Sequence, residues 1–193
     1  MLFGFSSSQD FGDATSVIAF ANAGGLGLPD RDYYVKTDAK SEETRQKYLQ
    51  HVQNMFELLG DPPATAQVNA RTVMAIETVL AKASLTRVEK RDPYKLYHKL
   101  SRKKLQALSP SFRWQRYLEI GGLNGIADVN VTEPEFFKAV EAQIKSRSLN
   151  DWKAYLRWHV AHARATHLSP NFVQTNFDFY GKYLRGVAQV APR

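Results

Sequence analysis

A chain of 193 residues without a single cysteine can bury roughly 70% of its unfolded surface, and disulfide or thiolate-metal scaffolds are excluded. Its 26 Lys and Arg against 19 Asp and Glu leave a formal charge of +7, which alone speaks of solubility and of weak attraction to anions. No run approaches the ~20 apolar residues of a membrane span, and Met1-Leu2-Phe3-Gly4-Phe5 lacks the basic stretch that opens a signal peptide, so the start reads as internal.

Leu2 to Gln9 alternates loosely, Asp10 to Asp13 supply a turn, and Thr15 to Ala23 form a second short apolar run. That pattern predicts a β-hairpin over 1–23, too small to stand alone and open to further strands from sequence outside this chain. Gly24-Gly25-Leu26-Gly27-Leu28-Pro29 cannot be regular helix or strand, because glycine costs backbone entropy and proline removes a donor. Gly25 or Gly27 is expected at positive φ, with Leu26, Leu28, Tyr33 and Tyr34 pinning the turn to the core.

Ser41 is expected to cap a helix in which Tyr48, Val52, Met55, Phe56 and Leu59 make a full stripe before Gly60. Asp61-Pro62 offers the cap of a second long helix, with Val73, Ile76, Leu80 and Ala83 inside. From Ser84 to Gly122 the elements are short and broken, and Ala127 to Val131 could be a strand. Thr132-Glu133-Pro134-Glu135 reads as a capping box with a first-turn proline. Asn150 or Ser148 caps the next helix, with Trp152, Tyr155, Leu156, His159, Val160 and Ala163 on one face. Ser169-Pro170 opens the last, along Val173, Phe177, Tyr180 and Leu184. The expectation is a mainly α fold, a multi-helical domain with a small N-terminal β-hairpin. One domain over 1–193 would comprise the hairpin, a turn over 24–36 and a helical core over 41–187.

Chemistry is sparse. The glycine cluster has Asp30 where a dinucleotide fingerprint needs glycine. Asp30-Arg31-Asp32 is more simply a set of salt bridges and backbone caps than an acid pair. His159 and His162 lie a turn apart, with His167 beyond them, yet zinc needs a third ligand. His51 and His98 have no such neighbour in sequence. Lys90-Arg91, Tyr94, Lys95, Tyr97, His98-Lys99, Arg102-Lys103-Lys104 and Phe112-Arg113-Trp114 interleave bases and aromatics as a single-strand binder would. The simpler reading has the rings in the core and the charges in water.

Leu26-Gly27-Leu28-Pro29-Asp30-Arg31-Asp32-Tyr33-Tyr34 resembles a stretch of the neprilysin-like zinc metallopeptidases. Met55 to Gly60, Arg91 to Tyr97, Leu105 to Trp114, Tyr155 to His159 and Phe177 to Gly181 follow in the same order. The resemblance implies the N-terminal, mostly helical part of such an enzyme, a cap that admits only peptides to a thermolysin-like catalytic domain. His-Glu-x-x-His and the substrate-holding Asn-Ala-Tyr type of motif are absent, and Glu57-x-x-x-Asp61 matches the spacing of a third ligand only by accident. The chain therefore reads as part of a larger peptidase that stops near Val190 to Arg193. It carries no catalytic, cofactor-binding or metal residue of its own, and zinc belongs to the missing catalytic domain. The nine residues from Leu26 to Tyr34 are its structural signature. Its partners would be that catalytic domain and peptide substrates, with no nucleic acid and no membrane segment, in an extracytoplasmic or periplasmic parent. A stand-alone helical interaction module and a basic nucleic-acid-binding domain are the alternatives.

Overall fold

Phe3–Asp10 (β1) and Asp13–Ala23 (β2) pair antiparallel, with Phe3 opposite Ala23. In a computed structural model that describes residues 1–189, this expected hairpin does not stand alone. Asp128–Val131 (β4) runs parallel to β2, and Lys99–Ser101 (β3) pairs antiparallel with β4. The order is β1-β2-β4-β3. The extra strands thus come from within the chain rather than from outside it. β3 escapes a pattern reading because three residues carry no period.

The rest is mainly helical. Asp32–Val35 (α1) is a single turn that begins at the end of the signature, followed by Ala39–Leu58 (α2) and Pro63–Ala83 (α3). Arg102–Leu108 (α4) and Trp114–Ile120 (α5) are short; Pro134–Ser146 (α6) and Leu149–Arg164 (α7) are long. Pro170–Asn176 (α8) passes into a π-helical stretch, Phe177–Tyr183. No described helix is long and apolar enough to cross a membrane.

The caps show which local signals won. Asp38, not Ser41, caps α2: its carboxylate accepts from the Ser41 backbone N–H at 2.9 Å and from the Ser41 hydroxyl at 2.7 Å. A charged acceptor outcompetes a hydroxyl at a helix N-terminus. Gly60, at φ 93°, closes α2 with the Gly60 N–H on Glu57 O and the Asp61 N–H on Phe56 O. That is the left-handed glycine cap. Asp61 does not cap α3, whose first-turn bond runs from the Ala66 N–H to the Pro62 carbonyl. The Thr132 capping box is not formed either. Glu133 occupies the cap position without a side-chain cap bond, its carboxylate held by the Leu85 N–H and Lys90. Ser148 caps α7 in a reciprocal box with Asp151, both bonds 3.2 Å.

The contacts divide into two compact units. The first joins residues 1–25 to 79–147, and the second joins 26–78 to the residues from 148 onward. The first unit contains the sheet. Its core centres on Phe3, whose ring lies 5.4 Å from those of Phe112, Trp114, Tyr117 and Phe137.

In the second unit, Tyr48, Val52, Met55 and Phe56 of α2 and Val73 and Ile76 of α3 are buried as expected. α7 differs. Its buried residues are Ala154, Tyr155, Trp158, His159 and Ala161, whereas Leu156 and Val160 lie open and Ala163 faces solvent. The expected stripe turns by part of a revolution because Trp158, flanked by small alanines, takes the innermost position. Burying an indole removes more apolar surface from water than burying a valine.

Candidate functional site

The signature turn occupies the middle of the second unit's core. Gly25, just before it, has φ 70° and supplies the left-handed residue that the turn needs. Gly27 has a different reason to be glycine. A Cβ there would collide with the Tyr48 hydroxyl and stand 2.8 Å from Tyr48 Cζ and 3.2 Å from Trp158 Nε1. Its carbonyl accepts the Tyr180 hydroxyl at 2.8 Å.

A buried polar relay leads inward from this point. The Leu28 N–H donates to the Tyr34 hydroxyl at 2.8 Å, and that hydroxyl donates to Glu77 Oε2 at 2.8 Å. The Tyr48 hydroxyl donates to the same oxygen at 2.8 Å. Glu77 Oε1 lies 3.1 Å from His159 Nε2, although neither atom makes an aligned hydrogen bond. Glu77 and Tyr48 are wholly buried, and Tyr34 and His159 nearly so. Burial, then the Glu77 charge, pushes the Tyr34, Tyr48 and Tyr180 phenols well above their ordinary range. They are permanent donors. The relay is an anchor from the turn to α3.

The outer signature residues make local bonds. Asp30 accepts from the Asp32 N–H at 2.8 Å, and Asp32 pairs with Lys36 at 3.1 Å and with Arg31 at 3.7 Å. Arg45 of α2 donates to the Tyr33 and Lys36 carbonyls at 2.8 and 2.7 Å. Leu28 and Tyr34 are buried, and Leu26 and Tyr33 are half-buried.

The other candidates disperse. His162 stacks on Trp158 with centroids 5.3 Å apart, and His51 stacks on Phe179 at 4.9 Å. Burial, with the neighbouring His162 charge, lowers His51 to about 3; burial and His159 lower His162 to about 4. His167 meets the Thr166 hydroxyl, and His98 Nδ1 lies 3.1 Å from the Val131 carbonyl. No group of three or more His, Cys, Asp or Glu that could hold a metal ion exists among the described residues. Glu57 accepts from Gln53, while Asp61 takes Arg157 through two bonds of 2.9 and 3.1 Å and Asn69 through one. In the basic, aromatic stretch Trp114 is buried and Tyr94 is 89% exposed. Lys90, Lys95 and Lys99 pair with Glu133, Glu89 and Asp10.

Glu77 lies four residues after Val73 and three before Leu80, within the apolar stripe of α3, but the stripe alone does not show that a glutamate there is buried. A carboxylate in an apolar stripe is seldom fully buried without partners, and tyrosines were available to supply them.

A model of the N-terminal part of Peptidase family M13 matches residues 1–193. The chain belongs to that family, as its neprilysin-like signature implies. Endothelin-converting enzyme 1 of Rattus norvegicus is 26% identical over 182 residues, covering 89% of this chain and 23% of that protein. The fold coincides with the open state of zinc metalloprotease Zmp1 from Mycobacterium tuberculosis at TM-score 0.93 and 28% identity. That match covers 100% of this chain and 30% of the other. PepO from Lactobacillus rhamnosis HN001, at 18% identity and TM-score 0.81, shares the fold. The chain spans less than a third of the length of these relatives.

On this geometry, Gly27→Ala is expected to cost about 1–3 kcal/mol through overpacking against Tyr48. Gly25→Val should cost a similar amount through backbone strain. Urea midpoints measure both. Wild-type midpoints for the two variants would show that the turn tolerates a side chain.

Proposed function

We propose that this chain is the non-catalytic cap of a zinc metalloendopeptidase that acts on peptides, with its zinc held by a separate catalytic domain. The match of the M13 N-terminal model to all 193 residues carries this reading. A cap of this kind excludes water and folded proteins while positioning short peptides. The nine residues from Leu26 to Tyr34 act structurally, tying the turn to Glu77. The whole chain works as one domain in this reading, and the parent operates outside the cytoplasm.

The isolated chain is expected to carry no stoichiometric zinc after dialysis and to leave a fluorogenic peptide intact. Metal analysis beside the assay tests this, and stoichiometric zinc lost in His159→Ala would overturn it. The cap role is tested by supplying the chain to the catalytic part of its own enzyme. The completed enzyme should cleave peptides and spare a folded protein of the same sequence content. Equal cleavage of both substrates, with and without the chain, would remove the sieving role.

A further inference from the structure

Leu59, Leu156, Val160 and Leu168 line an open groove of about 590 Å³ on the outer face of α7. Leu59, Leu156 and Val160 are 37%, 49% and 65% exposed, so this is apolar surface that the second unit leaves uncovered. Three cations border it: Lys153, Arg157 and Arg164. Arg157 is already engaged, with its two bonds to Asp61 and its guanidinium 5.5 Å from the Phe56 ring centroid. Lys153 and Arg164 have no anionic partner among the described residues. They stand on one helix, about 16 Å apart at 1.5 Å of rise per residue.

The geometry points to a docking site for an acidic amphipathic helix. Lined by aliphatic side chains and cationic stems, the groove supplies no row of backbone donors and acceptors. An occupant must satisfy its own backbone, which a helix does and an extended strand does not. Its apolar face meets Leu156 and Val160, and its carboxylates, about three turns apart, meet Lys153 and Arg164. This site stands on the groove alone and does not need the cap reading.

The probe is a synthetic amphipathic helical peptide with leucines on one face and glutamates about three turns apart, titrated by fluorescence anisotropy onto the full 193-residue chain. Saturable binding is expected. Val160→Glu, at an exposed position that leaves the core untouched, should weaken it about tenfold or more by placing a charge in the apolar contact. Lys153→Glu with Arg164→Glu should weaken it by about tenfold, and a peptide with lysines for the glutamates should restore binding to that variant. Circular dichroism confirms that the variants fold. Indifference to both variants, or failure of the lysine peptide to rescue, would overturn the proposal. So would a concentration-dependent dimer of the chain that Val160→Glu abolishes, since the occupant would then be a second copy.

Discussion

Glu77→Ala is expected to lower the unfolding free energy of the second unit by about 3–5 kcal/mol. The substitution removes one buried oxygen that accepts from both Tyr34 and Tyr48, at 2.8 Å each. Two hydroxyls would be stranded without solvent, and a buried donor without its partner costs about 1–3 kcal/mol. The imidazole of His159 would lose its carboxylate neighbour as well. Glu77→Gln keeps an oxygen near both hydroxyls while removing the charge, so it should cost markedly less. Urea unfolding followed by tryptophan fluorescence separates the two, because Trp158 lies in the same core. If alanine and glutamine cost the same and both less than about 1 kcal/mol, the relay is not an anchor.

Acid should weaken the same unit in a window set by two histidines. His51 is buried against Phe179 and its protonation is pushed down to about 3; that of His162 is pushed down to about 4. In the unfolded chain both imidazoles take a proton near pH 6.5. Between that pH and the folded values, the unfolded state binds more protons, so stability falls as pH falls. The loss starts below about pH 6.5 and is complete once both folded groups protonate near 3 to 4. Each imidazole contributes on the order of 2 kcal/mol of loss by pH 5. Carboxylates such as Asp13 and Glu89, lowered to about 2 by hydrogen bonds from Ser16 and Thr86 respectively, act in a lower window. Urea midpoints at pH 7 and pH 5 should therefore differ in the parent chain and differ less in His51→Leu. An equal pH response in the two proteins would exclude His51 as a source.

Much of this arrangement was legible because the signals were local. Three glycines and a proline mark the turn, and Tyr48, Val52, Met55 and Phe56 recur at helical spacing. The site's centre was harder to read. Glu77 lies in a helix, where glutamate has good propensity and ordinarily faces water; only the tyrosines brought to it by distant segments reveal its burial. α7 failed for the opposite reason. Trp152, Tyr155, Leu156, His159, Val160 and Ala163 outnumber what one face can bury, and periodicity cannot rank an indole above a valine. The surplus became the exposed groove. Likewise the final helix widens into π geometry over Phe177–Tyr183, where Gly181 packs against Phe177 too closely for a Cβ. Its spacing of four, three and four residues gave no hint of that.

The parallel pairing of β2 with β4 sets a timetable for synthesis. Ala21 is matched to Val131, so the ribosome must add about 110 further residues before β2 receives its second neighbour. At roughly 5–20 residues per second, that wait is on the order of 5–20 s. Throughout it, the nascent hairpin would present Phe20 and Ala21 to solvent, both buried in the finished sheet. Translation speed and holding chaperones thus act on this segment before its fold exists, and a slowed ribosome lengthens the interval in which an exposed edge can find the wrong strand.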